Sequence, residues 1–258
     1  MEFTLLGAVL FAVLPLYGML YWEARRGNAA SCAKNLWDLA LAGVIAGVFI
    51  GRLAAMIGDG VNPLTHPADI VIIRGGVATG PAALAALATV AWLGRDELWP
   101  VLDGLAAAAL AGLGGWHAGC VVRDACLGTA SDLPWAVAQD GSTVTRHPVE
   151  LYAALALFTG AIVIALWRQR GRPAPAVPAG LGLAWASAVR LLTEPLRPTL
   201  TGGPIAWYVL GLVAGLAVAL WAWSHHRHRR SPGSAPVSDY PGNDTRKPRR
   251  GITFCVET

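Results

Sequence analysis

Three ionisable residues set close together carry the clearest chemistry in this sequence. Arg190, Glu194 and Arg197 lie in the segment VRLLTEPLRPT, four and then three positions apart. In a helix that spacing puts all three on one face. Pro195 stands among them, so the helix is expected to kink or end there. Two guanidiniums around one carboxylate leave a net positive group that can hold a phosphate through paired N–H donors. The same three residues would also serve as an ion-pair network stapling a helix end.

A second group surrounds a polar stretch bounded by His117 and His147. Imidazole titrates near neutrality, so either histidine is a candidate general base; a loop histidine is otherwise simply solvated. Asp132-Leu133-Pro134-Trp135 reads as a turn packed by an aromatic ring. His147-Pro148 places proline at or near the first position of a helix. Glu150 then falls in the first turn, where negative charge is favoured, and that role is a sufficient account of it. Tyr17 lies in Leu16-Tyr17-Gly18-Met19-Leu20-Tyr21, where an interfacial anchor is the ordinary reading. Arg74 precedes Gly75 and Gly76, a cation beside backbone that a ligand can approach closely.

Long apolar stretches must position these groups. The 258 residues are 55% hydrophobic and 14% charged, with mean hydropathy +0.49. The apolar blocks run roughly 18–22 residues, enough to cross a hydrocarbon core as helix. Backbone in lipid must satisfy its own hydrogen bonds, which leaves helices or a closed barrel. Blocks rich in Ala, Leu, Val and Gly, without strict alternation, favour helices. Helices are predicted at about Phe3–Trp22, Leu36–Ile57, Val77–Leu93, Pro100–Trp116, Pro148–Trp167, Pro178–Thr193 and Ile205–Trp223. The first has no basic region before it and reads as a retained helix rather than a cleaved signal.

The expected fold is therefore an all-α polytopic membrane protein of about seven transmembrane helices, with a small extracytoplasmic loop region between helices 4 and 5. The membrane domain spans 1–224, its outer loop about 117–147. A basic, Pro/Ser/Gly-rich tail, 225–258, is expected to be disordered and cytoplasmic. With the N-terminus outside, Arg25, Arg26, Lys34, Arg95, Arg168, Arg170, Arg172 and the tail all fall inside, a consistent positive-inside pattern. Arg52, Arg74, Arg123, Arg146, Arg190 and Arg197 fall toward the outer side instead. An arginine near the bilayer centre costs about 2.5–3.5 kcal/mol on insertion scales. Binding of an anion at the outer leaflet would explain six such residues.

The basic tail does not argue for nucleic acid, because cationic flanks ordinarily orient membrane helices. No phosphate loop, zinc site or nucleophile elbow is present, and no metal or cofactor is implied. The four cysteines, Cys32, Cys120, Cys126 and Cys255, include no Cys-x-x-Cys pair. Cys120 and Cys126 share one predicted outer loop, where a disulfide and two free thiols are equally open.

An ordered set of short motifs adds a resemblance. Tyr17-Gly18-Met19-Leu20-Tyr21, Gly51-Arg52-Leu53, Asn62-Pro63-Leu64, Arg74-Gly75-Gly76, Ser131-Asp132-Leu133-Pro134-Trp135, His147-Pro148 with Leu151-Tyr152, and Arg190…Glu194…Arg197 follow one another over about Tyr17–Pro198. Together they resemble bacterial prolipoprotein diacylglyceryl transferases. The resemblance implies a multi-pass enzyme of the bacterial inner membrane. It would move the diacylglyceryl group of phosphatidylglycerol to the lipobox cysteine at the signal peptide of a prolipoprotein, releasing glycerol phosphate. Arg190, Glu194, His117 and His147 are then the expected catalytic residues. Arg197, Arg123, Arg74, Tyr17, Arg52, Gly75 and Gly76 are the expected substrate-binding residues.

The sequence departs from the family at several of these places. An arginine position of the family falls on His117, its asparagine on Cys120 and an acidic position on Ala125. No histidine follows the glycine pair in Gly76-Val77-Ala78-Thr79-Gly80, and Ala186 stands where a tyrosine is usual. Arg123 is then the candidate replacement cation and His117 the candidate base. A non-catalytic paralogue that binds anionic phospholipid or a lipoprotein partner is the alternative reading.

Overall fold

The structure is a computed structural model, and it describes residues 4–26, 34–71, 77–121, 126–139, 141–171, 173–198 and 204–230. The apolar blocks are helical, as their composition requires. The helices are α1 (Thr4–Arg25), α2 (Leu36–Gly58), the short α3 (Ala68–Val71), α4 (Thr79–Leu93), α5 (Leu98–Val121), α6 (Val149–Gly171), α7 (Val177–Thr193) and α8 (Ile205–Arg230). Two 3-10 turns, Arg95–Glu97 and Glu194–Leu196, lead into α5 and out of α7. Between α5 and α6 two-residue strands, β1 (Val137–Ala138) and β2 (Thr145–Arg146), pair antiparallel with Val137 opposite Arg146.

Among the described residues four stretches are long and apolar enough to cross a membrane: Leu36–Gly58, Arg95–Cys120, Val149–Gly171 and Ile205–Arg227. Thr79–Leu93 is a shorter apolar helix. The chain is thus a predominantly helical, polytopic membrane protein.

Two boundaries differ from expectation. α5 does not stop at Trp116 but runs on to Val121, so His117 is helical rather than the first loop residue. No proline interrupts residues 117–121, and His117 has a buried partner in Glu150 that keeps it inside. α8 likewise continues to Arg230, past the expected start of the tail.

α5 is the central element, packed against α1 on one side and α6 and α7 on the other. Many of its buried side chains are small, among them Ala106, Ala107, Ala108 and Ala111. Small side chains suit helices whose association relies on close packing rather than hydrophobic expulsion. Pro15 of α1 has no N–H, so the Phe11 carbonyl lacks its helical donor. Gly115 of α5 lies against that carbonyl, where any side chain would collide with it.

Long-range contacts define the two ends of the bundle. At one end Glu23 pairs with Arg168 at 2.9 Å, Lys34 with Asp96 at 3.0 Å, and Trp99 stacks near Trp221. There too Asp103 accepts from the N–H groups of Ala176 and Ala179, at 2.8 and 3.0 Å, and so caps the start of α7. At this end four guanidiniums lie over aromatic rings: Arg25 on Tyr21, Arg26 on Trp22, Arg95 on Trp92 and Arg227 on Trp223. The C-terminal ends of α5 and α7 and the start of α6 gather at the opposite end, with His117, Glu150, Arg190 and Arg197.

Candidate active site

The site begins with how α7 ends. Pro195 cannot donate a hydrogen bond and its ring crowds the preceding turn, so the α-helix stops at Thr193 and tightens into Glu194–Leu196. Arg190 and Glu194 keep their one-turn relation, with Arg190 Nη2 3.6 Å from Glu194 Oε2. Arg197 leaves the turn in extended conformation, at ψ 141°. The single helical face expected for all three residues therefore holds only for the first two. Arg197 swings to α6, where its Nη2 pairs with Oε1 of Glu150.

Glu150 is the hinge of the arrangement. Its carboxylate is 3% exposed. While Oε1 takes Arg197, Oε2 faces Nδ1 of His117 on α5. One buried carboxylate thus joins three elements. An ionised carboxylate only accepts, so His117 Nδ1 carries the hydrogen and Nε2 is left as the basic nitrogen. The charges of Arg190 and Arg197 both reach His117. The sequence offered Glu150 only as a helix N-terminal charge. Its place three residues after His147, behind a proline, was the available signal.

On the far side Arg190 meets α8. Its Nε and Nη2 donate to the Tyr208 hydroxyl at 3.4 and 3.1 Å. Sequence reasoning missed Tyr208 entirely. The cluster is formally balanced, with two guanidiniums against two carboxylates, rather than net positive as the Arg–Glu–Arg segment alone suggested. At this end of the bundle several buried polar atoms make no hydrogen bond among the described residues: Arg190 Nη1, Arg197 Nε, both oxygens of Glu194 and Nδ1 of His147. Orphaned buried groups are uncommon and costly, which makes this concentration of them informative.

The polar segment after α5 closes this end of the bundle. Cys120 and Cys126 are joined as a disulfide, one of the two states the sequence left open. Gly128 N–H donates to His147 O at 2.7 Å and Thr129 N–H to Leu196 O at 2.8 Å, tying the segment to both α6 and the turn after α7. Arg146 donates to Gly128 O at 3.2 Å and so ties the second strand of the hairpin to the start of the segment. Trp135 Nε1 donates to the Tyr152 hydroxyl at 2.7 Å, which gives the Asp-Leu-Pro-Trp turn its anchor. A pocket opens beneath, lined by Cys120, Cys126, Leu127, Val137, Pro148, Glu150 and Leu151.

The remaining predicted residues are placed elsewhere. His147 stands at the head of α6, half-buried, with its ring centre 6.3 Å from that of Tyr152 in an edge-to-face arrangement. Tyr17 donates to the Trp37 carbonyl at 3.1 Å, toward the other end of the bundle. Arg52 is 5% exposed and donates from Nε and Nη2 to the Asp69 carbonyl at 3.1 and 3.0 Å, pinning α3 to α2. Arg74, Gly75, Gly76 and Arg123 lie outside the described residues.

The fold defines a helical membrane bundle with two partly buried arginines and two buried glutamates drawn together at one end. Comparison with known sequences narrows the class. The prolipoprotein diacylglyceryl transferase family matches residues 5–204. Proteins named phosphatidylglycerol–prolipoprotein diacylglyceryl transferase are similar along most of their length. The one from Pseudomonas paraeruginosa is 28% identical over 261 residues, covering 88% of this chain and 97% of its own. Those from Cupriavidus necator and Methylobacillus flagellatus are 31% and 30% identical, covering 80% and 76% of this chain and 80% and 75% of their own. The chain belongs to the prolipoprotein diacylglyceryl transferase family.

Proposed function

We propose that this protein transfers the diacylglyceryl group of phosphatidylglycerol to the lipobox cysteine thiol of prolipoproteins at the outer face of the bacterial inner membrane. The observation that carries the reading is the set of orphaned buried atoms around Arg190. Arg190 Nη1 and Arg197 Nε are donors that suit phosphate oxygens, and the Glu194 oxygens are acceptors that suit headgroup hydroxyls. Phosphatidylglycerol carries both kinds of partner in one headgroup.

The thiol sulfur attacks the methylene carbon that links diacylglycerol to phosphate. A C–S bond forms, the C–O bond breaks, and its electron pair leaves on glycerol phosphate. His117 Nε2 takes the thiol proton, with Glu150 holding the ring from behind. Thiolate, not thiol, is the nucleophile, so this removal is required. Arg190 and Arg197 meet the charge growing on the phosphate. His147, nearer the outer surface, is the exit for the proton. Seven spans with the N-terminus outside and the C-terminus cytoplasmic suit this arrangement. Aromatic rings capped by Arg25, Arg26, Arg95 and Arg227 gather at the end opposite the site, as inner-face anchors would.

The test is release of glycerol phosphate from phosphatidylglycerol vesicles containing the protein, on addition of a lipobox peptide. Release with the cysteine peptide and none with its serine counterpart is expected. Bound phosphatidylglycerol without release would overturn the catalytic reading in favour of a lipid-binding paralogue.

A further inference from the structure

α7 and α8 run antiparallel with their backbones in direct contact. A Cβ on Gly215 would come 2.6 Å from the Gly180 carbonyl oxygen, so the approach there requires glycine. The same register sets Gly211 against Ser187 and, one turn further, Tyr208 against Arg190. Tyr208 is half-buried there, between the exposed Trp207 and Val209.

The contact is more than adjacency. Nε and Nη2 lie along one edge of the guanidinium, and both donate to the Tyr208 hydroxyl oxygen, at 3.4 and 3.1 Å. The guanidinium carbon lies 5.3 Å from the ring centre. An acceptor on one edge fixes the rotation of a planar fork as well as its position. The opposite corner, Nη1, is the buried atom with no acceptor among the described residues. Glu194 lies 3.6 Å from Nη2 as an ion pair, but its oxygens make no hydrogen bond that would fix the rotation of the fork.

We propose that Tyr208 is a positioning residue of the transfer reaction, holding the Arg190 fork so that Nη1 meets the departing phosphate. This rests on the transferase reading above. Misaligned donors lose most where charge develops, so the loss falls on kcat more than on KM.

The experiment is a two-by-two comparison in phosphatidylglycerol vesicles: wild type, Tyr208→Phe, Arg190→Lys and the double variant. Phenylalanine keeps the ring and removes the acceptor. Lysine keeps the charge and removes the fork. The expected result is an about tenfold lower kcat for Tyr208→Phe, ~1.4 kcal/mol, with KM for phosphatidylglycerol within twofold. In the Arg190→Lys background the same change should cost less than twofold. An unchanged kcat, or an equal loss in both backgrounds, overturns the proposal. Misfolding would lower active protein equally in both backgrounds and so counts against it. A wild type that transfers nothing overturns both this inference and the transferase reading, whereas an active wild type insensitive to Tyr208→Phe overturns this one alone.

Discussion

Glu150→Gln is the sharpest perturbation, because the substitution keeps the shape and changes only what the two oxygens can do. Both neighbours of Glu150 need an acceptor: Arg197 Nη2 at Oε1 and His117 Nδ1 at Oε2. Glutamine has one acceptor and one donor. If its amide nitrogen faces Arg197, two donors confront each other. If it faces His117, Nδ1 must become the acceptor, the hydrogen moves to Nε2, and the base is lost. A hydrogen bond involving a charged group contributes about 1.5–3 kcal/mol, which at about 2–4 °C per kcal/mol for a protein of this size corresponds to a Tm lower by about 3–12 °C. A positioned general base contributes about 10²–10⁴-fold. The expected kcat is therefore lower by about 100-fold or more, ~2.7 kcal/mol of barrier. The assay is steady-state transfer to a lipobox peptide, with Tm measured on the same detergent-purified sample. A folded Glu150→Gln protein that turns over within threefold of wild type would refute the His117–Glu150 relay.

Two further outcomes follow from the frame around the site. The disulfide closes a loop between residues six apart, and chain-entropy arguments give about 2 kcal/mol for so short a loop. Cys120→Ser with Cys126→Ser should lower Tm by several degrees, and non-reducing mass spectrometry of wild type should find neither thiol free. Arg168 and Glu23 form a pair with side chains 8% and 2% exposed. Arg168→Met leaves the carboxylate without that guanidinium and should destabilise by about 3–5 kcal/mol; adding Glu23→Leu should recover much of that loss, and failure to recover it would show that the pair is not the cause.

The helices were legible because lipid leaves few choices. Apolar blocks of spanning length must be helical, and the basic flanks mark their ends. Pro195 likewise announced the end of α7. Arg190 and Glu194 stood out because ionised side chains are rare in such stretches. Glu150 did not, because a glutamate in a first helical turn already has a local explanation. Only packing shows that this carboxylate faces inward. Tyr208 was hidden for a related reason. A tyrosine beside tryptophan at a membrane helix start reads as an interfacial anchor, and its partner lies 18 positions away across a glycine-mediated contact. His117 was read as a loop residue because polar composition begins there. A buried partner on another helix let α5 continue instead.

The central claim is that this site moves a diacylglyceryl group onto sulfur. The most direct measurement is the intact mass of a lipobox peptide after incubation with purified protein and phosphatidylglycerol of one defined acyl composition. A shift equal to that diacylglyceryl group on the cysteine, absent with Arg190→Ala, is the predicted result. An unmodified peptide from folded, phosphatidylglycerol-bound wild type, or the same shift with Arg190→Ala, would contradict the account.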